Sequence, residues 1–141
     1  MDKLYSLQNG TDIRGVAYKD DKSDLEITLT REDVKNLVRG FATWIIDKDK
    51  KDHIKISIGT DSRLTGPDFR QACVEALTEI GVDVVDCGMA TTPAMFMSTI
   101  IDGYKCDGAI MFTASHMPYV YNGLKMFTSQ GCLEKSDLKD V

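Results

Sequence analysis

The residues best placed for chemistry are Ser115 and His116, in the run Thr113-Ala114-Ser115-His116-Met117-Pro118 that directly follows the apolar segment GAIMF. In open α/β sheets, functional groups gather at the carboxyl ends of strands, where loops meet backbone donors. A serine hydroxyl is a weak nucleophile unless an adjacent group takes its proton or the leaving group is unusually good. His116 adjoins it, but sequence neighbours often point apart, and the G-x-S-x-G elbow of a serine hydrolase is missing. The spacing leaves two readings open: a catalytic serine, or a turn serine bonded to local backbone.

Two cations stand in comparable surroundings. Asn122-Gly123-Leu124-Lys125 places a turn and then a lysine a few residues beyond the serine. Lys125 either points back at the same crevice or ends a strand in water. Asn9-Gly10-Thr11-Asp12-Ile13-Arg14-Gly15 brackets an arginine with glycines. Such glycines let a backbone approach a ligand, and a guanidinium can clamp phosphate with two parallel hydrogen bonds. A third loop, Gly59 to Gly66, contains Asp61 and Arg63 but neither G-x-x-x-x-G-K-[ST] nor G-x-G-x-x-G, so it is no nucleotide loop. Asp61 and Arg63 are expected to pair with each other or brace neighbouring loops rather than touch a ligand. Asp83 and Asp86 show no metal-ligand pattern.

The elements that must position these groups alternate. After an irregular opening, Thr30 with Asp33 three residues on resembles a capping box, and Val34, Leu37, Val38, Phe41, Trp44 and Ile45 follow at helical spacing. HIKISIG reads as a strand with Ile54, Ile56 and Ile58 on one face. Gly66 and Pro67 open a second helix with Phe69, Cys73, Leu77 and Ile80 along one stripe. VDVVDCG is a further strand, and Thr91 to Pro93 begin a helix expected to run to about Gly103. GAIMF and LKMFT are strands joined by the serine loop. Right-handed crossovers give a parallel core, and the short last connection allows an antiparallel return, so a mixed sheet covered by helices is expected. The closing LEKSDLKDV reads as the start of a helix or linker.

Composition bounds the function. The 141 residues are 43% hydrophobic and 28% charged, an ordinary single-domain mixture that needs no disulfide or metal to fold. Lys plus Arg is 17 against 22 Asp plus Glu, a net charge of −5 that opposes nucleic-acid binding but still permits a local anion site. Cys73, Cys87, Cys106 and Cys132 have no C-x-x-C spacing and are expected to be reduced. With no apolar leader and no long apolar stretch, a soluble, cytoplasmic protein with no membrane partner is expected.

Taken in order, NGTDIRG, IGTDSRLTGPDFRQA, VVDCGMATTPAMFMS, DGAIMFTASHMP and YNGLKMF resemble the α-D-phosphohexomutase superfamily, the phosphoglucomutase and phosphomannomutase enzymes. The resemblance implies that residues 1–141 are the first of four domains, a three-layer α/β/α unit with a mixed, mainly parallel sheet. It implies that Ser115 carries a phosphoryl group, gives it to a hexose phosphate to make a hexose bisphosphate, and recovers one from the other end. Mg2+ is implied against the phosphorylated Ser115, its other ligands lying in the second domain. Arg14 would stabilise the transferring group, Lys125 would act as charge stabiliser or proton relay, and His116 would bond or move a proton at the sugar hydroxyl. Loss of one such donor typically costs about 3 to 4 kcal/mol. Met117 stands where the family commonly has Asn, and the loop is therefore expected to be held by apolar packing of Met117 and Tyr119. The alternative is a phosphosugar-binding or regulatory module that keeps the fold without catalysis. The isolated domain is expected to be inactive alone, since the resemblance places the metal, sugar and distal phosphate loops elsewhere.

Overall fold

Thr30 and Asp33 start the longest helix as their spacing demands. The Thr30 hydroxyl accepts from Asp33 N–H at 3.2 Å, and Asp33 Oδ2 accepts from Thr30 N–H at 2.8 Å, so a carboxylate one methylene shorter than glutamate still closes the box. The computed structural model describes residues 2–141. In chain order the elements are α1 (Asp2–Ser6), β1 (Gln8–Asn9), β2 (Asp12–Val16), α2 (Arg31–Asp49), β3 (Lys55–Thr60), α3 (Gly66–Glu79), β4 (Asp83–Met89), α4 (Thr92–Met97), β5 (Gly108–Phe112), β6 (Tyr121–Thr128), β7 (Gly131–Cys132) and α5 (Lys135–Asp140).

Seven strands form one sheet in the order β1-β2-β6-β5-β3-β4, with β7 paired to β6. β3 runs parallel to both β4 and β5, while β6 is antiparallel to β5 and to β2. The sheet is mixed, as expected, but not mainly parallel: two of its six pairings are parallel, β3 with β4 and with β5, because the opening strands and the return through β6 and β7 add four antiparallel ones. The opening segment, expected to be irregular, instead supplies two antiparallel strands. Its strand character is masked in sequence because the two apolar side chains of β2, Ile13 and Val16, are three residues apart among Asp12, Arg14 and Gly15 and show no period of two.

Strand alternation divides the core into two layers. Ile56, Ile58, Ile110, Phe112, Leu124 and Met126 join Val34, Val38, Phe41 and Ile45 of α2 and Phe69, Cys73 and Leu77 of α3 in one cluster. Ala109, Met111 and Phe127 turn to the other face and meet Met95 of α4. Three layers result, with α2 and α3 on one side and α4 on the other. Gly108 lets α2 come close: a Cβ there would sit 2.6 Å from Ile45 Cδ1 and 2.9 Å from Phe41 Cζ.

α4 ends at Met97, short of the expected Gly103. The Ser98 and Thr99 hydroxyls bond back to Met95 O at 2.6 Å and Phe96 O at 2.7 Å, competing with the helical ladder, and the chain leaves through turns. Ile80, expected on the buried stripe of α3, is half exposed at that helix's end. All four cysteines are free. Burial pushes the Cys73 thiol far above its usual range, as befits a residue used as a small hydrophobe. Among the described residues no helix is long and apolar enough to cross a membrane.

Burial alone would raise the Asp33 carboxyl, but hydrogen bonds from Lys3 and Thr30 outweigh it and hold the group below its usual range. A lowered folded-state value adds stability that is present at neutral pH and lost as acid protonates the group. Asp33→Ala should therefore cost about 1 kcal/mol in urea unfolding at pH 7. That cost should shrink as the pH falls through about 4.

Candidate active site

β5 delivers the serine loop. Phe112 and Ala114 are fully buried and anchor its first turn, and Thr113 N–H donates to Gly123 O on β6 at 3.1 Å. Ser115 is exposed and has φ 55°, a left-handed conformation that a non-glycine residue adopts only when its surroundings impose it. Its N–H donates to Thr113 Oγ1 at 3.1 Å, and Thr113 Oγ1 in turn donates to Asp61 Oδ2 at 2.7 Å. Ser115 Oγ lies 3.4 Å from His116 Nδ1, a long contact between two exposed groups. The side chain thus points toward solvent while the backbone is tied down.

Asp61 and Arg63, at the end of β3, do the tying. They pair at 3.3 Å, and Arg63 donates to the carbonyls of Ser115, Met117, Pro118 and Tyr121, each at 2.9 Å. The expectation that this pair braces neighbouring loops holds. The expected apolar packing of Met117 and Tyr119 is met in part: the Tyr119 ring lies 6.4 Å from that of Tyr18, centroid to centroid, while the loop's grip on Arg63 runs through its carbonyls. Met117 contributes its carbonyl, a contact indifferent to side-chain type, so the exchange of the family's Asn for Met leaves this contact intact. Tyr119 is half exposed, and its hydroxyl donates to Asp20 Oδ2 at 2.9 Å, which pushes the phenol above its usual range. A cavity of about 340 Å³ opens beside the serine, lined by Asp61, Ser62, Arg63, Leu64, Ser115, Met117 and Tyr119.

Arg14 and Lys125 meet elsewhere on the same platform. The antiparallel register sets Ile13 opposite Leu124 and Arg14 opposite Gly123, which places Asp12 beside Lys125. Asp12, Arg14 and Lys125 therefore share the sheet face opposite Ile13 and Leu124. Asp12 Oδ1 accepts from Lys125 Nζ at 2.5 Å and Oδ2 accepts from Arg14 Nη2 at 2.9 Å. Asp12 itself is buried, and both cations are largely covered. Lys125 thus points neither into open water nor into the serine cavity. Among the described residues no hydrogen bond joins Ser115 to Arg14 or Lys125. What links the two groups is backbone: Gly123, opposite Arg14, accepts from Thr113, and a Cβ at Gly123 would lie 2.1 Å from Ile13 O and 3.0 Å from Thr113 O. Only glycine fits where these three strands converge.

Asp12 and Thr113 were not singled out by residue type. The available signal for Asp12 was its position two residues before Arg14 on a strand, which puts both on one face. For Thr113 it was a hydroxyl two residues before a serine in a turn, the spacing of a side chain that caps a backbone N–H. No group of three or more His, Cys, Asp or Glu side chains converges among the described residues. Ser115, Ser62 and Tyr119 are the exposed hydroxyl-bearing residues around the cavity.

The structure is thus a three-layer α/β/α domain that presents an exposed, left-handed serine at a strand end, with Arg14 and Lys125 held by Asp12 on neighbouring strands. The family model described as phosphoglucomutase/phosphomannomutase, alpha/beta/alpha domain I, matches residues 6–140. The chain belongs to that family and is its domain I. It is 39% identical over 132 residues to the phosphoglucosamine mutase of Caldicellulosiruptor bescii, covering 93% of this chain and 26% of the relative. To that of Alkaliphilus oremlandii it is 33% identical, with the same coverage. A solved phosphoglucomutase/phosphomannomutase family protein from Burkholderia thailandensis superposes with a TM-score of 0.78 at 26% identity, covering 99% of this chain and 29% of that one. The chain thus spans about a quarter of the length of the curated relatives it matches.

Asp12→Asn would leave two cations side by side with no counter-charge. A stability loss of about 1.5 to 3 kcal/mol in urea unfolding is expected. Part of it should return at about 1 M salt, where the repulsion is screened within roughly 3 Å.

Proposed function

We propose that this chain is the serine-bearing domain of a phosphohexomutase that interconverts hexose 1-phosphate and hexose 6-phosphate. Ser115 carries a phosphoryl group; its Oγ–P bond breaks as a sugar hydroxyl forms the new O–P bond and gives up its proton. The resulting hexose bisphosphate returns the phosphoryl group at its other end to Ser115. The observation that carries this reading is the presentation of Ser115, exposed at a cavity with its backbone tied and His116 Nδ1 3.4 Å from its oxygen. In this reading His116, whose Nδ1 lies 3.4 Å from Ser115 Oγ, takes or returns the sugar proton. Arg14 and Lys125, minus Asp12, leave one net positive charge on the adjacent strands to balance the transferring group.

Phosphoryl transfer relies on positioning and on charge neutralisation, and magnesium bound at the phosphoserine would supply part of the latter. This chain's contribution to it is the Ser115 oxygen, with the other ligands and the remaining domains outside these residues. The name shared by the curated relatives supports glucosamine phosphate as the hexose to test first. Four free cysteines, two buried, one half-buried and one exposed, support a reducing, cytoplasmic setting.

The test places residues 1–141 in the corresponding position of the C. bescii mutase and follows intact mass after incubation with a hexose 1,6-bisphosphate and Mg2+. One added phosphoryl group is expected on wild type and none on Ser115→Ala; a wild type that never gains it refutes the reading. His116→Ala should lower kcat about 100-fold or more. The 141-residue chain alone should show little or no turnover, and turnover matching the chimera would contradict its role as one domain of several.

A further inference from the structure

We propose that Arg63 is a positioning residue for Ser115: its guanidinium is the template on which the serine loop is wound, and it sets the backbone that presents the hydroxyl. The inference rests on the reading of Ser115 as phosphoryl carrier. A guanidinium has five N–H donors in a planar fork. All five are engaged here. Nε reaches Asp61 Oδ2, Nη1 reaches the carbonyls of Pro118 and Tyr121, and Nη2 reaches those of Ser115 and Met117. Arg63 lines the cavity, yet no donor is left for a phosphate, and its side chain is only 11% exposed. Its place at the site is therefore to shape it, not to bind the anion.

Four carbonyls within seven residues converge on one cation only if the chain curls around it. The two peptide groups flanking Ser115 are held from the same source. The N–H is held by Thr113, whose hydroxyl rests on Asp61; the C=O is held by Arg63, whose Nε rests on the same Asp61 oxygen. With both sides fixed, φ of Ser115 stays at 55° while Oγ remains exposed. A left-handed serine persists when its surroundings over-determine it, and this is the over-determination. Lysine carries three donors on a point charge and cannot span four carbonyls.

Two measurements test this. In the chimera, Arg63→Lys should lower kcat on the order of 100-fold, the cost of a small misplacement at the reacting atom. KM should change by less than about threefold, because the residue touches no substrate. Millimolar guanidinium should restore part of the activity of Arg63→Ala where sodium chloride of equal ionic strength does not. In the 141-residue chain, Arg63→Lys should speed amide exchange at residues 115–121 and leave β3 and β5 unchanged. Should Arg63→Ala fail to fold, Thr113→Val, which frees the N–H side of Ser115 and leaves Arg63 in place, should show the same kcat loss at smaller size. A wild type that takes up no phosphoryl group overturns the reading of Ser115. Unchanged kcat in Arg63→Lys, or unchanged exchange at 115–121, overturns the role of Arg63.

Discussion

One guanidinium closes the loop that the site depends on. Loop carbonyls near a core must find donors, since an unpaired polar group away from water costs as much as a lost hydrogen bond. Residues 115–120 lie outside the strands, and Arg63 donates to three of their carbonyls and to that of Tyr121 at the start of β6. Asp61 makes that possible by compensating its charge, and through Thr113 it reaches the other side of the same serine. β3 and β5 are parallel neighbours, so the ends of both strands open on the same edge of the sheet, where a side chain from one can hold the backbone that follows the other.

Charge is arranged with the same economy. The chain carries −5 overall, yet the strands beside the serine loop hold two cations around one carboxylate. Asp12 keeps Arg14 and Lys125 close together without mutual repulsion driving them apart, and the trio retains one positive charge. The global balance says little about an anionic substrate because the field that matters is set within a few ångströms by these three side chains.

The layers explain how a unit one quarter the length of its relatives can build this much of a site. The α2 and α3 side is packed by large aliphatic and aromatic groups, and the sheet face carrying Asp12, Arg14 and Lys125 lies on the opposite side, with short α4 covering only part of it. The second face holds only a small apolar cluster around Met95, which leaves room beside it for the Asp12, Arg14 and Lys125 trio.

Much of this was legible in the residues. The helical stripe of α2, its Thr30–Asp33 cap, the strands ending at Thr60 and Phe112 and the serine at a strand end all follow from periodicity and local hydrogen bonding, which act over a few residues. Five ordered motifs carried the family. The opening strands and the early end of α4 were not legible, because charged alternation hides a strand and two hydroxyls truncate a helix that periodicity would continue. Met117 and Tyr119 suggested apolar packing by type, whereas the loop is held through its carbonyls, which every residue has alike. By itself the amino-acid sequence determined which segments fold, which family they belong to and which serine is presented. Only tertiary structure decided that Arg63 grips Ser115 from 52 residues away and that Asp12 joins Arg14 to a lysine 113 residues distant, because such partners are chosen by strand order and register and not by local spacing.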